Sequence, residues 1–281
     1  MAAAEPTLAA QLGIRAGDVV ALLGGGGKTS LMFSLAGQLG SSGLRALCTT
    51  TTKMMEPRTP QDCDACIVNA ALDEAVAQTA AAFTSPDRRL VLAAGYAAAH
   101  PGAGREGAAA RRRIDGVPPA WPRQLIEAGA CDVVLVEADG ARKLPFKAPA
   151  EHEPVLPDGT SVAVAVAGVD ALGRPLAEDF VCRAAVVAKA TGLELGAEVT
   201  ASAMGCVLGS RAVWRVPPDV RHFAACVNKA DGGDDAKLEA ASGVAQEVVA
   251  QSNGCAQAIV TGQVGGSRGV VRAYFECPAP E

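Results

Sequence analysis

Residues 24–29, Gly-Gly-Gly-Gly-Lys-Thr, set a run of glycines directly before a fixed positive charge and a hydroxyl. Glycines let a backbone turn tightly around an anion with its N–H groups pointing inward, and a helix starting there adds its positive end. The chemistry this serves is phosphate binding. In this reading Gly24, Gly25, Gly26 and Gly27 form an anion nest with Ser30 at its edge. Lys28 reaches the outer phosphates, and the Thr29 hydroxyl can ligate Mg2+. The eight-residue pattern G-x-x-x-x-G-K-[ST] would need glycine where this chain has Leu22, so the loop is the shorter G-x-x-G-K-[ST].

A phosphate site also needs a carboxylate at the end of a neighbouring strand to hold the metal or its water. The segment Val-Val-Leu-Val-Glu-Ala-Asp-Gly, 133–140, offers Glu137 and Asp139, two residues apart and so on one face if the strand continues. Asp139 is preferred because Gly140 follows it where the chain would pass a γ-phosphate. Thr49–Thr52 end another apolar run; one of them could sense the γ-phosphate, or all could be ordinary strand-end residues. The run into Asn228-Lys229-Ala230-Asp231 resembles the guanine-recognition motif of GTPases. There the aspartate accepts from two guanine donors, the lysine stem covers the ring and the asparagine braces the phosphate loop. Adenine presents the wrong donors to Asp231, which favours GTP as the bound nucleotide. The short glycine loop, however, is similar to that of Mur ligases and folylpolyglutamate synthetases. Mur ligases carry an Asn/Asp element in a comparable place, so ATP stays open.

Residues 140–160 are rich in proline and charge, and a long loop after a buried strand lies where ligands bind in α/β proteins. Arg142, Lys143 and Lys147 could neutralise phosphate charge, while Glu151, His152 and Glu153 could bind a metal or move protons. Lys147 and His152 are its leading candidates, with Arg142 beside them as part of a substrate loop. Arg111–Arg113 reads as a solvated edge, with phosphate contact as the lesser alternative, His100 and His222 as surface or structural, and Asp170, Arg174 and Arg183 as weaker candidates. Cys63 and Cys66 have C-x-x-C spacing, but no second pair matches it as a structural zinc site requires.

The elements that must carry these residues follow from apolar runs at 18–24, 44–50, 65–69, 89–95, 131–140, 161–170, 222–231 and 257–262. Each is nearly continuous, the pattern of strands buried on both faces. Helical stretches fall at 28–39, 72–83, 118–129 and 235–252. Alternating strand and helix implies an α/β fold, a mostly parallel sheet with helices on both faces, of P-loop-NTPase type. The expected organisation is one domain over residues 1–281, with a mobile loop at about 96–113 and the functional loop at about 140–160.

The totals fit that picture. With 281 residues, 49% of them hydrophobic, the chain can bury a large core. A net charge of −5 argues against a nucleic-acid scaffold driven by bulk charge. No apolar run approaches the roughly 20 residues of a membrane span. Nine cysteines, an odd number scattered through strands and loops, fit reduced cytoplasmic thiols better than a disulfide framework.

Together the segments "GGGGKTSLMFSLA", "TTTTKM", "DVVLVEADGARKLPFKAPAEHEPVLP", "VAGVDALGRPL" and "VNKAD" resemble the YqeC family. That family is described as a selenium-dependent molybdenum hydroxylase accessory or selenium cofactor biosynthesis protein. The resemblance implies a nucleotide-dependent maturation factor, with a molybdenum hydroxylase client or other maturation factors as partners. Two other readings stand beside it: an ATP- or GTP-dependent ligase or transferase, and a scaffold that holds nucleotide without turnover.

Overall fold

A computed structural model describes residues 7–98, 112–231, 233–251, 254–255, 257–264 and 267–276. Nine strands join in one sheet: β1 (Val19–Gly24), β2 (Ala46–Thr50), β3 (Ala65–Val68), β4 (Leu90–Ala93), β5 (Val133–Glu137), β6 (Thr160–Gly168), β7 (His222–Asn228), β8 (Gln257–Val264) and β9 (Ser267–Glu276). Their order across the sheet is β9-β8-β7-β6-β1-β5-β2-β4-β3. All pairs are parallel except β8 with β9. The first eight strands lie on the eight apolar runs of the sequence. β9 is an addition, an antiparallel edge strand that no continuous apolar run announces.

The seven helices among the described residues are α1 (Leu8–Gln11), α2 (Lys28–Ser41), α3 (Leu72–Ala82), α4 (Trp121–Glu127), α5 (Ala184–Thr191), α6 (Ala201–Leu208) and α7 (Asp235–Gln251). Successive side chains of a strand point to opposite faces, so a fully buried β1 must feed two cores. Val20 and Leu22 join Leu31, Met32 and Leu35 of α2, whereas Ala21 and Leu23 join Met204 of α6 and Val244 of α7. Farther along, Val134, Val136, Leu90 and Leu92 meet Ala75 of α3 and Leu125 of α4. The expected helix at 118–129 is shorter because Pro118 and Pro119 disfavour helix before them, while Pro122 sits in the first turn.

Two small sheets went unannounced, since strands of two or three residues leave no period to read. Lys53–Met55, Arg113–Asp115 and Gly95–Tyr96 form an antiparallel trio, and Phe146–Lys147 pairs with Val181–Cys182 in parallel. The ends of the loop expected at 96–113 therefore belong to a sheet. Its middle, with His100 and Arg111, lies outside the described residues. β1 lies between β5 and β6, where the chain finishes one half of the sheet and crosses to the other. In open α/β sheets that is where a crevice forms beyond the strand ends.

Candidate functional site

β1 ends at Gly24 and α2 begins at Lys28 with Gly27 as its N-cap. The loop between is wedged against β6 and β7. A Cβ on Gly26 would lie 2.0 Å from the Gly168 amide nitrogen, and one on Gly27 would lie 2.5 Å from Asn228 Nδ2. With φ of +68° and +117° as well, neither position accepts another residue. Three of the four glycine amides are already engaged elsewhere, so the inward-facing set the sequence leads one to expect is reduced to Gly27. Gly24 N–H donates to Asp139, Gly25 N–H to the Val166 carbonyl and Gly26 N–H to the Leu144 carbonyl. The donors a helix start leaves over are those of its first turn, Lys28, Thr29 and Ser30.

Beneath the loop runs a buried chain of charge. The Lys28 ammonium donates to the Gly24 carbonyl and lies 2.9 Å from Asp139 and 3.9 Å from Glu137. Burial works to lower its pKa, but the Asp139 and Glu137 carboxylates more than offset this, so the group stays above its ordinary value. Asp139, fully buried, also takes Lys147 at 2.9 Å. Lys147, 1% exposed, donates in turn to the Gly140 carbonyl at 2.7 Å and to Glu153. Glu153 is closed off by Arg183 at 2.9 Å. Burial opposes ionisation of Glu153, but Lys147 and Arg183 hold its carboxyl below the usual range.

The two strand-end carboxylates thus have different surroundings. Asp139, just past the end of β5, is enclosed by two ammonium groups and an amide. Glu137, the last residue of β5, accepts the Thr29 hydroxyl at 2.6 Å and lines the crevice. A hydroxyl and a carboxylate side by side are hard oxygen donors. They fit Mg2+, which takes few protein ligands and completes its shell with phosphates and water. No cluster of three or more His, Cys, Asp or Glu side chains that could hold a metal exists among the described residues.

The end of β7 approaches the loop from the other side. Asn228 Nδ2 donates to the Gly26 carbonyl at 2.9 Å, and Asn228 Oδ1 accepts the Thr261 hydroxyl of β8 at 3.0 Å. Lys229, at φ +70°, pairs with Asp170 at 2.6 Å, with its stem close to Gly168. Asp231 is exposed and accepts the backbone N–H of Gln263 at 2.9 Å. Asn228, Lys229, Asp231, Gly262 and Gln263, with Gly27 and Ser30, line a cavity of about 280 Å³. Thr261, Gly262 and Gln263 were missed in the sequence because a Thr-Gly-Gln strand end has no chemistry of its own until Asn228 and Asp231 sit beside it.

A larger cavity of about 1170 Å³ runs from the loop toward the small antiparallel sheet. It shares Gly27, Ser30 and Lys229 with the smaller one. One wall is the turn Ala141–Leu144, closed by Leu144 N–H on the Ala141 carbonyl at 2.8 Å. Its central residues, Arg142 and Lys143, have φ of 51° and 65°. Two positive φ angles in succession are the pattern of a type I′ turn, normally filled by Asn and Gly, and cost of order 1 kcal/mol per residue. Both residues line the cavity.

Other expectations fall elsewhere. His152 is exposed, without a hydrogen bond or ion pair among the described residues, and the inward-facing member of that stretch is its neighbour Glu153. The hydroxyls of Thr49, Thr50 and Thr51 donate to the carbonyls of Leu92, Glu137 and Val155, bracing the backbone. Burial raises the Cys63 thiol and pushes Cys66 up to about 12, so neither is a thiolate near neutrality. His222 opens β7 at the far end of the sheet from the crevice. Burial, then Arg221 and Arg211, hold its imidazole below the usual value.

Residues 20–185 match the family described as YqeC protein. That span takes in the glycine loop, the β5 end and the charged loop. The chain belongs to the YqeC family. A protein of Escherichia coli (strain K12) named "Uncharacterized protein YqeC" is 32% identical over 222 residues, covering 75% of this chain and 78% of that one. No solved structure matches. The YqeC match ends before Asn228 and Asp231, so the assignment of family does not rest on the β7 end.

Proposed function

We propose that this YqeC-family protein binds a nucleoside triphosphate with Mg2+ across the ends of β1, β5 and β7, with GTP preferred to ATP. The observation that carries the reading is the hydrogen bond from Asn228 to Gly26, which joins two motifs some two hundred residues apart into one crevice. The β- and γ-phosphates take the first-turn amides of α2 and the Lys28 ammonium, which turns from the Gly24 carbonyl toward them. The base takes the smaller cavity, with Asp231 accepting guanine donors and Lys229 flanking the ring. Thr29 and Glu137 hold Mg2+, which neutralises phosphate charge when bound. Phosphoryl transfer in such a site is positioning and charge neutralisation, with Arg142 and Lys143 facing the phosphates and no covalent intermediate. In the cell the protein acts as a slow, Mg-dependent GTPase in maturing a selenium-dependent molybdenum hydroxylase or assembling its cofactor. One observation favours a second reading. The larger cavity exceeds what phosphates and ribose fill, which suits transfer to another substrate.

Competition binding tests the core of this. Wild type should rank GTP at least tenfold above ATP. Lys28→Ala removes a charge-assisted contact of about 1.5–3 kcal/mol, so affinity should fall tenfold or more. Because Lys28 also balances buried Asp139, its urea midpoint should fall as well, and binding is compared where the variant is still folded. Unchanged affinity for both nucleotides in Lys28→Ala would remove the phosphate-loop assignment.

A further inference from the structure

With the base in the smaller cavity and the phosphates at the α2 start, much of the 1170 Å³ cavity has no occupant. Pockets for a whole drug-sized ligand span about 300–1,000 Å³. The unfilled part is bounded by the small antiparallel sheet and the segment that follows it. Met55, with the buried Met54 and Pro57 behind it, gives it an apolar side; Lys53, Arg58, Arg89 and Arg113 give it a cationic one. These cations are not equivalent. Arg58 is closed on Asp62 at 2.9 Å, and Arg89 reaches Asp64 at 3.4 Å. Lys53 has only a loose, exposed pairing with Asp115 at 3.7 Å. The Arg113 guanidinium donates to the Lys53 carbonyl at 3.2 Å and has no carboxylate within ion-pair distance among the described residues. Across the cavity, Lys143 is exposed and equally without an anionic partner among them.

Lys53, held only by a loose exposed pairing, and Arg113, with no carboxylate partner among the described residues, flank Met55 on one face; in a chain of net charge −5 they are a local reversal of the protein's own charge. An arginine fork binds planar or tetrahedral oxyanions in two-pronged fashion, and methionine accommodates flat apolar bodies. We infer that the small antiparallel sheet holds a second substrate, an organic oxyanion with an apolar or aromatic body. Arg113 and Lys53 grip its phosphate or carboxylate, and its body lies over Met55, which shares their face of the small sheet, facing the nucleotide's outer phosphate. This rests on the nucleotide assignment for where the phosphates lie, and it names the substrate class for the transfer reading.

The test uses the full chain saturated with a non-hydrolysable GTP analogue and Mg2+, titrated with 1-naphthyl phosphate and, separately, 1-naphthoate, by fluorescence. At least one probe should bind saturably without displacing the analogue, and the stronger of the two separates phosphate from carboxylate recognition. Arg113→Ala and Lys53→Ala should each weaken that probe about tenfold while leaving analogue affinity unchanged, and Arg113→Lys should recover part of the loss. No binding of either probe to the loaded protein, binding that competes with the analogue, or binding indifferent to Arg113→Ala would each overturn the inference. If the analogue itself fails to bind, the nucleotide reading fails. Nucleotide-free wild type then decides this site alone: Arg113-dependent probe binding keeps it, and its absence removes it.

Discussion

The β5 end and the β7 end of the crevice both place charged side chains beside the same glycine loop, but they do so in opposite ways. At the β5 end, Lys28, Asp139, Lys147 and Glu153 are almost wholly withdrawn from water, and each touches at least two partners. At the β7 end, Lys229 and Asp231 are partly or fully exposed and each makes a single contact. A buried ion that loses its partner is costly, whereas an exposed pair contributes little. The first region is therefore built into the stability of the fold. The second can change its ligand without changing the fold, and substitutions should divide along that line.

The largest effect is expected from Lys147→Met, which leaves Asp139 and Glu153 short of a shared cation. Breaking a buried pair costs about 3–5 kcal/mol, to be read as a fall in the urea midpoint. Full stability in this variant would erase the contrast between the two ends. Next in size, the two strand-end carboxylates should separate. Glu137→Gln should cut hydrolysis roughly a hundredfold with stability and nucleotide binding largely kept. Asp139→Asn should instead lower the urea midpoint first. The reverse outcome would return the metal to Asp139. At the β7 end, Asp231→Asn puts an NH2 donor where guanine presents N–H. GTP affinity should drop tenfold or more and xanthosine triphosphate should overtake it, with the midpoint moving by less than about 0.5 kcal/mol. Equal binding of ATP and GTP before and after the change would leave the ATP-dependent transferase as the better reading.

The smallest effect is one of pH. A carboxyl whose folded pKa is lowered, as for Glu153, contributes stability in full above its unfolded value near 4.3. That contribution is lost as pH falls through the lower folded value. Glu153→Gln should therefore be less stable than wild type at pH 7, and the gap should narrow below about pH 4. A gap that stays constant down to pH 3 would mean that Glu153 holds its place by shape and not by charge.

Eight strands and the loop were legible because continuous apolar runs and a glycine cluster are local signals. Asn228 was legible for the same reason, since its motif is four residues long. The charge chain was not. In "KAPAEHEP" the residues His152 and Glu153 are neighbours of equal chemical promise, and which of them turns inward depends on Lys147, itself fixed by Asp139, and on Arg183 far along the chain. The cation wall of Lys53 and Arg113 was hidden by the shortness of its strands. Arg113 looked like part of a solvated run until pairing with Lys53–Met55 placed it in the cavity wall.

Asn228 grips Gly26 with one atom of its amide and Thr261 with the other. That single side chain makes the two ends of the crevice mechanically one object. On the proposed nucleotide reading, a base seated beside Asn228 would bias the Gly26 carbonyl, and an anion on the loop would bias the wall of the smaller cavity. Such linkage is reciprocal by thermodynamic necessity. Whatever factor bound phosphate adds to the affinity for a separate nucleoside, the nucleoside must add to the affinity for phosphate. Free phosphate and free nucleoside would each be weak ligands, and the intact nucleotide would bind more tightly than the two separately imply.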